Sequence, residues 1–130
     1  MIVVIDYEMG NIHSVQKGLE RVGAEAVITD DPSVIAQADG VVLPGVGAFG
    51  AAMAELRRKG LVEPIEQAIA RDVPFMGICL GLQLLFERGY EEGEWDGLGV
   101  FEGDVVRFSG GLKVPHIGWN EVRIRKTEPF

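Results

Sequence analysis

Gly77-Ile78-Cys79-Leu80-Gly81 places the only cysteine of the chain between glycines, where an apolar run, VPFMGI (73–78), passes without a polar spacer into CLGLQLLFERG. G-x-C-x-G is the thiol counterpart of G-x-S-x-G, in which a sharp turn between strand and helix presents a nucleophile. Glycine two residues before and two after lets the backbone turn tightly and keeps side chains clear of the sulfur. A helix starting at Cys79 or Leu80 would aim its amides and dipole at that sulfur, favouring thiolate and offering donors to an oxyanion. The chemistry on offer is nucleophilic catalysis. The competing reading is packing, since a free cysteine behaves as a small hydrophobe and is among the most buried residue types.

A second glycine cluster, Gly45-Val46-Gly47-Ala48-Phe49-Gly50, fits the G-x-G-x-x-G spacing of a dinucleotide-binding loop. That use needs a preceding strand, a following helix, and an acid about 20 residues on, at the end of the next strand, to hold the ribose. The first two conditions are met. The third fails, because the next strand ends at Ile78-Cys79 and the acids in range, Glu63 and Glu66, fall in a helical pattern. The loop also follows the third strand rather than the first. Two other uses stay open: a turn tightened for packing, or a source of bare N–H groups for a developing oxyanion. A tetrahedral intermediate commonly takes one donor from the residue after the nucleophile, here Leu80, and one from another loop. In adjacent parallel strands Gly45-Val46-Gly47 and Cys79 would share the carboxyl edge of the sheet, where open α/β folds place their sites.

A thiol nucleophile also needs a base, and the chain holds two histidines, His13 and His116. His13 falls on the polar side of a helical pattern. His116, in V-P-H-I-G-W-N, follows Pro115 in a turn region, where structural or interface use is the stronger reading. Trp119, between Gly118 and Asn120, suits turn packing or a protein contact, tryptophan being enriched at interface hot spots. No spacing of His, Cys and carboxylates points to a metal site.

The elements that must carry these residues alternate. IVVID (2–6) is a β-branched run suited to a buried parallel strand, and Ile12, Val15, Leu19 and Val22 follow at helical spacing, with Gly23 as the stop. AVIT (26–29) is a second strand, and Asp31 as N-cap with Pro32 at the first helical position opens a short helix. VVL (41–43) is a third strand. Met53, Leu56, Leu61, Ile65 and Ile69 then mark helix, split near Gly60 and Pro64. VPFMGI is a fourth strand, and CLGLQLLFERG, apolar on nearly all sides, reads as a largely buried helix. Beyond Gly89 come an acidic loop, EEGEWDG, and three segments with strand character, GVFEGDVVRF, LKVPHIG and NEVRIRK. The fold expected is α/β: a three-layer, mostly parallel sheet with helices on both faces, a flavodoxin-like core, and an incomplete β-rich C-terminal part.

Composition narrows the partners. At 130 residues with 47% hydrophobic content the chain suits one compact domain. Twelve basic against twenty acidic residues give a net charge of −8 with no basic run, which argues against nucleic acid. One cysteine forms no internal disulfide, MIVVID is too short for a signal-peptide core, and no apolar run approaches the roughly 20 residues of a membrane span. A cytoplasmic setting without membrane contact is the default expectation.

Four segments together, DYEMGNIHSV (6–15), LPGVGAFG (43–50), GICLGLQLLFE (77–87) and VPHIGWN (114–120), make the sequence resemble the class I glutamine amidotransferases of triad type, most closely the glutaminase subunits of imidazole glycerol phosphate synthases in histidine biosynthesis. The resemblance implies hydrolysis of glutamine without a cofactor and transfer of ammonia to a cyclase partner subunit. It implies Cys79 as nucleophile, Leu80 and Gly45-Val46-Gly47 as oxyanion-hole amides, and Gln83 as a contact for bound glutamine. Asn11 and Trp119 match positions near the cyclase. Glu8 stands where a small residue is usual, and a tolerated change is expected. Family members continue to a histidine and a glutamate that complete the triad, whereas this sequence ends at Thr127-Glu128-Pro129-Phe130. The expectation is one type 1 domain over residues 1–130, truncated at its C-terminus, inactive by itself and prone to self-association. The competing class is a non-catalytic binding or regulatory module of the same fold, with Cys79 structural or redox-sensitive.

Overall fold

The computed structural model describes residues 1–126; Thr127 to Phe130, on which the expectation of truncation rests, lie outside it. Four parallel strands form the main sheet in the order β2-β1-β3-β4: β1 (Ile2–Ile5), β2 (Ala26–Thr29), β3 (Gly40–Leu43) and β4 (Phe75–Gly77). Register runs Val3 to Val27 and Val41, then Val41 to Phe75. The helices are α1 (Ile12–Arg21), α2 (Pro32–Ile35), α3 (Phe49–Arg58), α4 (Val62–Ala70) and a single turn, α5 (Leu80–Gln83). Asp31 caps α2, accepting the Ser33 N–H at 2.8 Å, with Pro32 at the first turn as its fixed φ favours. Helix α1 stops at Arg21, because Gly23 takes φ 87°; Val22, expected on the apolar face, caps the helix and is exposed.

Side chains alternate across a strand, so Val3, Ile5, Val41 and Leu43 share one face. They form one core with Ile35 of α2, Phe49, Ala52, Met53 and Leu56 of α3, and Ile65 and Ala68 of α4. Burying each large aliphatic among these contributes about 1.5–3 kcal/mol. Val4 and Val42, both buried, point to the opposite face, on which α1 packs against β1 and β2 with none of its own residues fully buried. Met76, in register with Val42 and therefore on that same face, is left exposed. Gly60 divides α3 from α4, whereas Pro64 lies inside the first turn of α4, where its missing N–H costs nothing.

Two expectations fail. CLGLQLLFERG is not one buried helix: α5 ends at Gln83, and Phe86–Gly89 becomes β5, the centre of a second sheet ordered β6-β5-β7 with β6 (Trp95–Asp96) and β7 (Phe101–Val105). An apolar run has the same signature in a buried helix and a buried strand. Tertiary partners decide here: Phe86 pairs with Phe101, their rings 5.7 Å apart, and Gly89 lies so close under the Phe49 ring that a Cβ there would approach it to 2.5 Å. Leu82, moreover, is exposed. LKVPHIG and NEVRIRK are not strands either; Leu112 to Lys126 is irregular, exposed backbone that pairs with no strand among the described residues.

Candidate active site

Strand β4 delivers Cys79 to the carboxyl edge. The Ile78 N–H still donates to Leu43 O at 2.9 Å, one residue beyond the strand, and then the chain turns at once. Cys79 takes φ 55°, ψ −116°, in a half of the map that side chains rarely enter. Its carbonyl accepts from the Leu82 and Gln83 amides at 3.1 and 3.3 Å, and Ile78 O accepts from Gly81 at 3.0 Å, so the turn is closed by its own backbone. The flanking glycines are demanded by crowding. A Cβ on Gly77 would stand 2.6 Å from Leu82 Cα, and one on Gly81 would penetrate the Leu43 carbonyl. The sulfur-bearing residue is exposed, which rules out the packing reading. Helix α5 is a single turn, so no long helix dipole points at the sulfur, contrary to the expectation from CLGLQLLFERG.

Gly45 is buried against this turn. A Cβ on it would lie 3.0 Å from Leu80 Cβ, 2.9 Å from Gly81 N and 2.5 Å from Tyr7 Oη. The structure thus brings Gly45 and Leu80 together beside Cys79. Val46 is 53% exposed and Gly47 takes φ 95°, with Met9 Cε beneath it. Among the described residues no backbone hydrogen bond is donated by the amides of Gly45, Val46, Gly47 or Leu80. Tyr7 is fully buried and donates its hydroxyl to Pro44 O at 2.8 Å. Burial pushes its phenol well above the ordinary range, and the charge of a Cys79 thiolate adds to this, so the group stays a neutral donor.

Gln83 closes α5 and lines a cleft of about 720 Å³ with Tyr90, Glu91, Arg107, Phe108 and His116; Cys79 is not among the lining residues. In the sequence Glu91 is one acid of an acidic loop, with no motif to mark it. Its Oε2 accepts the Phe49 N–H at 3.1 Å, supplying the first turn of α3 with the cap that Ala48 cannot. Trp95 donates its indole N–H to Glu91 O at 3.0 Å and lies on Gly50, where a Cβ would meet the ring at 2.5 Å. Each link joins residues distant in sequence or absent from any short motif.

The remaining candidates are dispersed. Asn11 caps α1, accepting the Ser14 N–H at 3.4 Å. Trp119 is fully exposed, which rules out its packing reading. His13 is exposed on α1, and His116, which also lines the cleft, has its Nε2 3.3 Å from Asn120 Nδ2. Among the described residues no group of three or more His, Cys, Asp or Glu is arranged to hold a metal. Glu8 has a partner: at φ 67° its carboxylate meets Lys59 Nζ at 3.1 Å and Arg58 at 3.5 Å, while Lys59 also reaches Asp30 at 3.0 Å and Asp6 O at 3.4 Å. Lys59 holds the Glu8 and Asp30 carboxyls below their usual range, and both acids raise the lysine.

The family profile described as "Glutamine amidotransferase class-I" matches residues 3–126. Curated relatives named "Imidazole glycerol phosphate synthase subunit HisH" are similar throughout. That of Rhodopirellula baltica is 57% identical over 96% of this chain and 62% of its own length, and that of Synechococcus elongatus is 54% identical over 98% and 59%. The relative from Syntrophotalea carbinolica is 54% identical over the whole chain and 66% of itself, so the chain spans less than two thirds of the length of these relatives. A solved structure titled "Crystal structure of glutamine amidotransferase" superposes with a TM-score of 0.67 over 80% of this chain and 55% of that one, at 20% identity, which supports the fold. The chain belongs to the class I glutamine amidotransferase family.

Proposed function

We propose that the protein of which these residues form part hydrolyses glutamine to glutamate and ammonia by acyl transfer through Cys79. The thiolate attacks the carboxamide carbon, the C–N bond breaks as the nitrogen takes up a proton and leaves as ammonia, and water, giving up a proton, cleaves the thioester to release glutamate and restore the thiolate. Leu80 N–H and amides of Gly45-Val46-Gly47 hold the oxyanion, and Gln83, which lines the same cleft as Glu91, faces the substrate. The observation that carries this reading is an exposed Cys79 in a strained turn, packed beside amides without an acceptor. The relatives' printed name, a subunit of imidazole glycerol phosphate synthase, supports a partner subunit; we propose that this partner is a cyclase that receives the ammonia in histidine biosynthesis, in a cytoplasmic setting. Asn11 and Trp119, both exposed, are our candidates for the partner contact.

Residues 1–130 form part of one type 1 domain in this reading. Neither histidine hydrogen-bonds Cys79 among the described residues, so the 130-residue polypeptide alone should lack useful turnover. The decisive measurement is glutamate release by a chain of the relatives' length with the cyclase present. Cys79→Ala should lower it by on the order of 10³-fold or more; unchanged turnover would falsify the assignment.

A further inference from the structure

Trp95 closes a ring of contacts between the β5–β6 hairpin and the start of α3. Its indole N–H donates to Glu91 O at 3.0 Å, and its ring lies on Gly50, where a Cβ would meet it at 2.5 Å. The Phe49 N–H, one residue before Gly50, donates in turn to Glu91 Oε2 at 3.1 Å. Glu91 is therefore held twice from one point of α3, by its carbonyl through the indole and by its carboxylate directly. The seat is shaped for this ring. Gly93, at φ 135°, would bring a Cβ to 3.1 Å from the indole nitrogen, and Arg57 of α3 holds the neighbouring Asp96 carbonyl at 3.1 Å.

The clamped hairpin carries Tyr90 and Glu91 into the cleft lined by Gln83, whose own amide bonds Cys79 O at 3.3 Å. Only Oε2 of Glu91 has a hydrogen-bond partner among the described residues. A carboxylate fixed at one oxygen and open at the other suits a cationic group, and glutamine brings one, its α-ammonium. We propose that Trp95 is a positioning residue for substrate binding: the indole, wedged between Gly50 and Glu91, sets where the Glu91 carboxylate stands in the cleft and so the affinity for glutamine. The inference rests on the acyl-transfer reading above, and it adds a residue that touches neither the substrate nor the reacting atoms.

Trp95→Phe keeps a ring over Gly50 and removes the indole N–H. In a chain of the relatives' length with the cyclase present, KM for glutamine should rise about three- to fivefold while kcat stays within about twofold, the pattern of binding lost equally from ground and transition states. Glu91→Gln retains an oxygen for the Phe49 N–H but discards the charge, and should raise KM about tenfold. Adding Trp95→Phe to it should then raise KM by less than about twofold more, because no charge is left to place. A ring that only packs would act by the same factor in both backgrounds. Equal factors, an unchanged KM, a loss confined to kcat, or a Trp95→Phe chain that no longer folds would each overturn the proposal. Cys79→Ala runs alongside. If it is inactive while Trp95→Phe is normal, only the positioning role fails; if it is active, the acyl-transfer reading fails and the positioning role falls with it.

Discussion

Gly81 shows how completely the neighbours of the nucleophile are determined. Its Cα faces the Leu43 carbonyl with no room for a methyl group, and the obstacle is backbone that cannot swing aside. Gly81→Ala should therefore cost about 3 kcal/mol or abolish folding. Gly18, in the middle of α1, where an added Cβ would meet nothing within 4 Å outside the helix's own backbone, is the internal control, and Gly18→Ala should stabilise by about 0.5–1 kcal/mol through helix propensity. Urea midpoints compare the two. This tight turn was legible in the sequence because its demands fall within five consecutive residues. Tyr7 and Glu91 were not, since their bonds to Pro44 and Phe49 span 37 and 42 residues and leave no local pattern.

Strands and helices were legible where burial imposes a period. IVVI and VVL are the two central strands, buried or nearly so at each residue, and AVIT is the edge strand beside IVVI; each emerged as a strand. The stretch after Cys79 resisted because it is apolar whichever element it joins, and pairing with β7 fixed it as β5. Charge braces the rim where β1, β2 and α3 end, through Lys59 with Glu8 and Asp30. The sign of its pH dependence follows from the depressed carboxyls. Their stabilisation is complete above the unfolded carboxylate range near pH 4 and is lost as pH falls through the lower folded values. Lys59→Gln should accordingly lower the urea midpoint at pH 7, and the gap to the parent should close toward pH 3 and shrink in about 1 M salt. An equal gap at both pH values would mean that the lysine acts by packing its stem. Glu8, expected as a tolerated change, thus has an electrostatic reason to be an acid.

Seen whole, the molecule is covered unevenly. Helices α2, α3 and α4 seal one face of the main sheet, whereas the other carries α1 near β1 and β2 and leaves Met76 and Ile78 exposed beside β4. Ile117, Trp119, Val122 and Ile124 add exposed apolar surface in irregular backbone. Expressed as these 130 residues, the chain should self-associate at micromolar concentration despite its net charge of −8, because apolar patches of this extent seek cover. Sedimentation velocity across a dilution series tests this, and a monomer at every concentration would refute it. Trp95, over Gly50 with its indole N–H on Glu91 O, has a consequence of another kind. The only other tryptophan among residues 1–130, Trp119, is fully exposed, whereas Trp95 is 42% exposed and packed on Gly50, so the two should fluoresce from different surroundings. Replacing Trp119 with phenylalanine leaves one fluorophore, attached through Glu91 to the cleft that Gln83 lines. Its emission should therefore shift when a ligand in that cleft disturbs Glu91, a readout that needs no label or coupled assay.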